Sequence, residues 1–152
     1  MAKIDIIDKS IINRIQTFFP IAPHPYKIIA EELGLSEDDL ISRVKRLKEE
    51  GIIRRLGGNF GPYKLGFFST LCAASVPDDE IDIFTGVVNG YPGVTHNYMR
   101  SHRYNIWFTF IAESMDIIET NLRDISERTG VYDILNLPAT DVFKISASFK
   151  VI

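Results

Sequence analysis

The stretch Val94–Ala112, VTHNYMRSHRYNIWFTFIA, contains two strand-like segments in the second half of this 152-residue chain. Both segments, Val94–Arg100 and Tyr104–Ala112, are rich in aromatic and β-branched residues, which favour extended structure. A short polar break at Ser101 and His102 separates them. The pattern therefore predicts an antiparallel hairpin with a tight turn.

Alternation along the two strands predicts which side chains share a face of the sheet, because successive residues point to opposite sides. In the second strand the apolar set is Tyr104, Ile106, Phe108 and Phe110, and we expect it to pack on helices. A two-residue turn would place Arg100 opposite Arg103, Tyr98 opposite Asn105 and His96 opposite Trp107. The open face would then carry His96, Tyr98, Arg100, Arg103, Asn105 and Trp107.

The segments around the hairpin complete an α+β domain. They are a strand over Gly66–Val76, a helix over Asp78–Asn89, a helix over Ser114–Thr129, a strand over Val131–Leu137 and an extended segment over Val142–Val151. The order βαββαβ is typical of a ferredoxin-like fold. In such a fold the helices cover one face of the sheet and leave the other face open.

The first half of the chain has the pattern of a winged helix-turn-helix. Helical spacing of isoleucines predicts a helix over Asp5–Phe18, and three following prolines prevent its continuation. A short helix over Tyr26–Leu33 and a third helix, opened by Ser36 and ended at Gly51, follow. Ile52–Leu56 is then a short strand or wing. We predict a helix-turn-helix domain over 1–60 and a ferredoxin-like domain over 61–152, divided by a glycine-rich stretch.

Composition excludes several classes of protein. Hydrophobic residues make up 45% and charged residues 24%, as in globular domains. No apolar run reaches the roughly 18 residues of a membrane helix, and the N-terminus does not resemble a secretory signal. The single cysteine, Cys72, excludes an internal disulfide framework and a cysteine-rich metal centre. We therefore expect a cytoplasmic protein that does not bind membranes.

The helix-turn-helix allows two interpretations. In such motifs the start of the second helix enters the major groove of DNA, but here that end carries Glu37, Asp38 and Asp39. These carboxylates suit the helix dipole and oppose contact with phosphates. The basic residues lie further along and are Arg43, Lys45, Arg46 and Lys48. The module either binds DNA or is a retained structural or dimerising domain, and we expect no specific DNA binding.

The open face of the sheet also allows more than one interpretation. It offers imidazoles, guanidiniums, a phenol, an amide and an indole, whereas a solvated face usually carries Lys, Glu and Thr. Trp, Tyr and Arg are enriched in protein interfaces, so a dimer interface is one hypothesis. A ligand site is the other, and the two coincide if the pocket lies between subunits.

Several segments of the chain resemble one or the other of two known families. Leu33–Ser36 and Arg43–Ile53 resemble the DNA-binding half of Lrp/AsnC transcription regulators. Gly93–Thr109, which includes the run HNYMRSHRYNIWFT, and Gly51–Phe60, leading into Tyr63–Gly66, resemble the sirohaem (siroheme) decarboxylases. The second resemblance spans the whole chain. It implies a carboxy-lyase that converts two acetate side chains of sirohaem to methyl groups, giving didecarboxysirohaem in haem or d1-type haem biosynthesis.

The resemblance also implies partners and site residues. The chain would pair with a paralogous subunit, usually as a heterodimer, with a higher oligomer also open, and would use no separate cofactor, because the iron tetrapyrrole is the substrate. His96 is then the axial ligand to the iron or a proton donor, with His102 as its rival and Tyr98 as a further donor. Substrate-binding residues would be Arg100, Arg103, Asn105 and Trp107, joined by Arg54, Arg55 and Lys64. The last three are alternatively a basic wing left from a DNA-binding ancestor.

Two other functions stay open. An Lrp/AsnC-type regulator would bind DNA and a small effector such as an amino acid. A catalytically weak subunit would bind sirohaem and complete the pocket of its paralogue.

Overall fold

The computed structural model describes residues 4–58, 60–144 and 149–152. The chain divides into two compact units. One unit contains the residues up to Gly58 together with those from Lys144 onward, and the other extends from Asn59 to Phe143. The second unit therefore ends earlier than the predicted domain 61–152, because the C-terminal residues belong with the first unit. Within these described ranges, no helix is long and apolar enough to cross a membrane.

The first unit contains three helices, α1 (Ile6–Thr17), α2 (Pro25–Leu33) and α3 (Glu37–Glu49). A capping box opens α1, since the carboxylates of Asp5 and Asp8 each accept the other residue's backbone N–H. The core between the helices consists of Ile11, Ile12, Ile29, Ala30, Leu40, Val44, Leu47 and Ile53. The predicted helix-turn-helix is thus confirmed.

The predicted strand or wing over Ile52–Leu56 is wrong, because these residues form no strand. The N–H groups of Ile52 and Ile53 both donate to the Leu47 carbonyl, at 2.9 and 3.0 Å. Gly51, with φ of 73°, allows the chain to fold back in this way. The segment therefore closes the end of α3, and Ile53 is buried in the core.

The C-terminal residues bind to α1. The side-chain amide of Asn13 accepts from the Val151 N–H at 2.9 Å and donates to the Val151 carbonyl at 3.0 Å. The side-chain amide of Gln16 likewise accepts from the Phe149 N–H at 3.3 Å and donates to the Phe149 carbonyl at 2.6 Å. These backbone groups are bound by side chains and not by a strand, so the predicted extended segment Val142–Val151 joins no sheet where it is described. The rest of that segment lies outside the described residues.

The second unit is a four-stranded antiparallel sheet with helices on one face. Its elements are β1 (Phe68–Ala74), α4 (Ile81–Asn89), β2 (Val94–Met99), β3 (Ile106–Ala112), α5 (Met115–Thr129) and β4 (Ile134–Pro138), with short 3-10 turns at Pro62–Leu65 and Asp78–Glu80. The strand order is β2-β3-β1-β4. This order and the βαββαβ sequence confirm the predicted ferredoxin-like fold.

The helix-facing side of the sheet carries the core of this unit. Ile106, Phe108 and Phe110 of β3 are about 1% exposed, as the alternation predicts. Cys72 of β1 is fully buried beside them, and burial raises the pKa of its thiol to about 12. A buried and protonated thiol acts as a small apolar side chain. Trp107 and Thr109 therefore point to the open face.

The predicted hairpin register, with Arg100 opposite Arg103, is wrong. The Arg100 N–H donates to the Asn105 carbonyl at 2.7 Å, and Tyr98 pairs with Trp107. The loop between the strands consequently contains four residues and not two. A longer loop avoids the Ser-His pair at a two-residue turn, where backbone geometry favours Gly, Asn or Asp. The facing pattern within each strand is unaffected.

Candidate active site

The aromatic part of the open face lies across β2 and β3. Tyr98 opposes Trp107, and His96 opposes Thr109, so the predicted pairs of His96 with Trp107 and of Tyr98 with Asn105 are each displaced along β3. The rings of His96 and Tyr98 stack at 6.0 Å between centroids. Tyr98 is 47% exposed, so this surface is accessible in the single chain.

The same face continues as an aliphatic surface across β1 and β4. Ala73 of β1 lies between Trp107 and Leu135, and Leu71 lies between Thr109 and Leu137. Leu71 and Leu137 are 43% and 40% exposed. The sequence-based prediction missed these leucines, although the alternation within β1 and β4 contained the signal. Together the strands form a broad face that is aromatic at one side and aliphatic at the other.

Arg100 lies directly beside the aromatic surface. Its guanidinium carbon is 5.8 Å from the centre of the Trp107 ring, an arrangement that favours a cation–π contact. Its side chain makes no ion pair with any residue in the described part of the chain. Because a guanidinium binds carboxylates through two parallel N–H donors, Arg100 is suited to bind an anionic ligand at the edge of this face.

Arg103 and Tyr104 are held by an acid that the sequence pattern did not indicate. The Asp133 carboxylate accepts from the Tyr104 hydroxyl and from the Arg103 guanidinium, each at 3.1 Å. The predicted place of Tyr104 in β3, facing the helices, is wrong, because it belongs to the loop, and its carbonyl accepts from the Trp107 indole at 2.7 Å. Arg103 is 72% exposed, so its ion pair with Asp133 is weak and leaves part of the guanidinium available to another anion.

Asn105 does not contribute its amide to the open face. Its Oδ1 accepts from the Val76 N–H at 2.9 Å, and its Nδ2 donates to the Val76 carbonyl at 2.8 Å. Both hydrogen-bonding ends are therefore engaged within the protein. This amide holds the end of the hairpin to the segment after β1. That structural contact accounts for an asparagine at this position, and no contact with a ligand is needed to explain it.

The two histidines of the hairpin have different partners. The Nδ1 of His96 lies 3.1 Å from the Thr95 hydroxyl, beside an irregularity in the pairing of β2. The Nδ1 of His102 accepts from the Tyr104 backbone N–H at 3.1 Å, and the two rings stack at 6.2 Å. Both histidines are exposed, so each can meet a ligand.

The three basic residues predicted outside the hairpin divide between the units. Arg54 and Arg55 follow α3 in the first unit, and Lys64 lies in the 3-10 turn of the second unit. All three are exposed. Their contact with a ligand stays a prediction.

The arginines of α3 are engaged inside the first unit. Asp8 is 1% exposed and accepts from Arg43 at 3.0 Å and from Arg46 at 2.6 Å, while Arg43 also donates to Asp5 at 2.7 Å. The hydrogen bond from Arg43 lowers the pKa of Asp5 to about 2. Burial alone would raise the pKa of Asp8, but the bonds from Asp5, Arg46 and Arg43 outweigh it and lower that pKa. Arginines held in this manner are poorly placed to bind DNA phosphates.

Comparison with known proteins identifies the family. Residues 64–144 match the AsnC-like ligand binding domain, and residues 8–54 match the siroheme decarboxylase NirDL-like HTH domain. The chain is 51% identical over 148 residues to the siroheme decarboxylase alpha subunit of Oleidesulfovibrio alaskensis, with 97% of this chain and 90% of that one covered. It is 36% identical to the siroheme decarboxylase NirG and NirD subunits of Stutzerimonas stutzeri, over 97% and 96% of this chain and 99% and 95% of theirs.

A solved structure agrees with this result. The siroheme decarboxylase NirDL in co-complex with an iron-uroporphyrin III analogue superposes with a TM-score of 0.66 at 28% identity. The match covers 94% of this chain and 47% of that one, so the chain spans about half the length of NirDL. The chain therefore belongs to the siroheme decarboxylase family.

Proposed function

We propose that this chain is a subunit of sirohaem decarboxylase, a carboxy-lyase that removes the carboxyl groups from two acetate side chains of sirohaem. The observation that carries the proposal is the open sheet face, where His96, Tyr98 and Trp107 lie beside an arginine without an acidic partner in the described ranges. The 51% identity to a siroheme decarboxylase alpha subunit supports the same activity.

The sheet face suits a flat iron tetrapyrrole. Tyr98 of β2 and Trp107 of β3 lie opposite each other and offer aromatic surface on which a planar ring can pack. An imidazole on the same face can ligate the central iron, and His96 is our choice for that ligand. Iron enters with the substrate, so the chemistry requires no separate cofactor.

The arginines suit the carboxylated rim of the substrate. Arg100, stacked on Trp107, would bind a carboxylate bidentately, while Arg103 would bind with the part of its guanidinium that Asp133 leaves free. Arg54, Arg55 and Lys64 remain candidates for further carboxylates. These residues orient the substrate and should not grip the carboxylate that leaves, because stabilising that ground-state anion would oppose its loss.

The reaction needs a group that can delocalise an electron pair and a group that can donate a proton. When the bond between the methylene and carboxylate carbons breaks, carbon dioxide leaves and the electron pair stays on the methylene carbon. A protonated macrocycle can delocalise that pair, and a proton then forms the new methyl C–H bond. The Tyr98 hydroxyl lies on the same face and is a candidate donor, a role that typically contributes about 10² to 10⁴ in rate.

A paralogous subunit would complete the enzyme. Stutzerimonas stutzeri has separate NirG and NirD subunits, and NirDL is about twice the length of this chain. The exposed leucines 71 and 137 on the open face supply apolar surface that a second subunit can cover. We therefore expect a heterodimer, with a larger assembly also open.

Anaerobic incubation with sirohaem tests the proposal. The purified chain, alone and with its paralogue, should convert sirohaem to a product lighter by two molecules of carbon dioxide, measured by mass spectrometry. Conversion only in the mixture would indicate that this subunit needs its paralogue for turnover. No mass loss in either sample would refute the proposed activity.

The absorption spectrum of the bound iron tests the ligand. His96→Ala should change the spectrum of the bound ferric tetrapyrrole, whereas His24→Ala, in the exposed segment before α2, should not. An unchanged spectrum in His96→Ala would place the iron ligand elsewhere.

A further inference from the structure

Strand β2 contains one residue more than its pairing with β3 requires. Val94 lies opposite Phe110 and His96 lies opposite Thr109, although Thr109 and Phe110 are consecutive in β3. From His96 onward the pairing runs without a further shift to the end of β2. Thr95 is therefore an extra residue, which forms a β-bulge directly before His96.

The register of the sheet does not depend on this extra residue. On the other side of the bulge, Val94 packs against the core of the second unit, and the Ile111 N–H donates to the Gly93 carbonyl at 2.9 Å. Without Thr95, Val94 and His96 would be adjacent in a regular strand, where they would still face opposite sides and keep their partners in β3. A bulge disrupts the ladder locally, and bulges are frequent beside active sites, where they redirect a side chain.

The bulge brings two neighbouring side chains into contact. In a regular strand consecutive side chains point to opposite faces and do not meet. Here the Thr95 hydroxyl oxygen lies 3.1 Å from Nδ1 of His96, and both residues are exposed. A hydroxyl can donate to a ring nitrogen or accept from it. The contact therefore gives Nδ1 of His96 a partner and leaves Nε2 as the nitrogen available to a ligand.

The Thr95 hydroxyl is the kind of partner that a metal-ligating histidine commonly has. Such a histidine binds the metal through one nitrogen and donates from the other to a neighbouring oxygen. That hydrogen bond fixes the orientation of the ring and makes it a stronger ligand. When Nε2 of His96 ligates the iron of a bound tetrapyrrole, Nδ1 carries the proton and can donate it to the Thr95 oxygen.

We infer that Thr95 is a positioning residue, which orients the His96 imidazole for the iron of the tetrapyrrole through its hydroxyl and through the bulge that it creates. The inference rests on the proposed function, since it takes the iron tetrapyrrole as substrate and His96 as the iron ligand. In this role Thr95 acts through His96 and does not bind the substrate itself. Its loss should affect the binding of the iron and leave the binding of the carboxylated rim unchanged.

Three changes at Thr95 separate the hydroxyl from the bulge. Thr95→Val keeps the branched shape and removes the hydroxyl, whereas Thr95→Ser keeps the hydroxyl. Deletion of Thr95 removes the bulge and leaves the pairing partners of β2 as they are. His96→Ala is the reference for loss of the ligand, and Thr140→Val, at an exposed threonine after β4, is the matched control.

Titration of the full-length chain, with its paralogue present, against iron uroporphyrin III and metal-free uroporphyrin III separates the iron from the rim, because both ligands carry the same carboxylates. Thr95→Val and the deletion should each weaken affinity for the iron form about tenfold. This is the lower end of the usual effect of such a hydrogen bond, because water can partly replace an exposed hydroxyl. Affinity for the metal-free form should not change.

Two further measurements distinguish positioning from a merely structural role. The spectrum of bound ferric iron in Thr95→Val and in the deletion variant should shift toward that of His96→Ala, while Thr95→Ser and Thr140→Val keep the wild-type spectrum. The deletion variant should unfold in urea no earlier than the wild type, since its strand pairs regularly.

The other outcomes overturn the inference or the function on which it rests. A wild-type preference for the iron form in Thr95→Val, in the deletion variant or in His96→Ala would overturn the role of Thr95. Equal loss of affinity for both ligands would indicate a general distortion of the sheet and would also overturn it. In each case sirohaem decarboxylation by the wild type would leave the proposed function intact. Wild-type protein that neither binds nor decarboxylates sirohaem, with its paralogue present, would overturn both.

Discussion

Removal of the buried Asp8 carboxylate should destabilise the first unit strongly. Asp8 is 1% exposed and accepts hydrogen bonds from Arg43, Arg46 and the Asp5 N–H. Breaking a buried ion pair by deleting one partner typically costs about 3–5 kcal/mol. Arg43 keeps Asp5 as a partner, and both arginines are partly exposed to water, so we expect a loss at the lower end of that range, about 3 kcal/mol, for Asp8→Ala.

Two probes weight the two units differently during unfolding in urea, because tryptophan fluorescence reports the second unit, whereas helical circular dichroism reports α1, α2 and α3 together with α4 and α5. The only tryptophan, Trp107, lies in the second unit, so its fluorescence reports that unit. The described part of the first unit has helices as its regular secondary structure, and helical circular dichroism is therefore sensitive to its loss. Asp8→Ala should shift the circular-dichroism transition to lower urea and shift the fluorescence transition less.

Asp38→Ala is the matched control, because Asp38 is an exposed acid in the first turn of α3. Loss of its favourable interaction with the helix dipole should cost no more than about 1 kcal/mol. If Asp8→Ala shifts the transition no further than Asp38→Ala, the buried ion cluster is not a main source of stability.

The same cluster predicts the direction of the pH dependence. The pKa of Asp5 is lowered to about 2, and the pKa of Asp8 is lowered as well, so the folded state holds both carboxylates ionised more strongly than the unfolded chain does. Such groups stabilise the fold above the unfolded pKa of about 3.9, and that contribution is lost as pH falls toward the folded values. Wild-type protein should therefore lose stability between about pH 4 and pH 2, and Asp8→Ala should lose less.

Three further predictions concern the sheet and the helix-turn-helix. Arg100→Ala should weaken sirohaem affinity by roughly 1.5–3 kcal/mol. Arg103→Ala should weaken it by less, because Arg103 also donates to Asp133. If Arg100→Ala binds sirohaem normally but fails to decarboxylate it in a single turnover, Arg100 is catalytic. Gly93→Ala should destabilise the second unit by at least about 2 kcal/mol in thermal unfolding, since its Cβ would lie 2.2 Å from the Ile111 carbonyl oxygen. A salt titration with genomic DNA fragments should find no sequence-specific binding at physiological salt; sub-micromolar affinity for one fragment that competitor DNA fails to displace would contradict this.

Local sequence signals predicted the helices of the first unit well. Isoleucine spacing, proline breaks and the Ser36 cap act within a few residues, and each is present in the structure. The segment after Gly51 was mispredicted because two consecutive isoleucines have a high β propensity, whereas burial against α3 decided their conformation. The C-terminal contact with Asn13 joins residues far apart in the chain, and no local pattern indicates it.

The site shows the same division between local and long-range information. Alternation within β2 and β3 correctly predicted that His96, Tyr98 and Trp107 share the open face. The register between the strands was not predictable, because it depends on where Asn105 and Tyr104 find partners elsewhere in the unit. A strand's own residues determine its two faces, but distant residues determine which of them meet across the hairpin.

The distribution of arginines supports a site on the sheet and not on the helix-turn-helix. A guanidinium already bound to a buried carboxylate has little capacity left for a second anion, and Arg43 and Arg46 both donate to Asp8. Arg103 forms an ion pair with the exposed Asp133, and such exposed pairs are weak. Arg100 has no acidic partner in the residues that the structure describes, and it lies against Trp107 at the edge of a flat apolar face. A planar ligand with a carboxylated rim would meet both features at once, whereas a DNA backbone at α3 would meet Arg43 and Arg46, which already donate to Asp8.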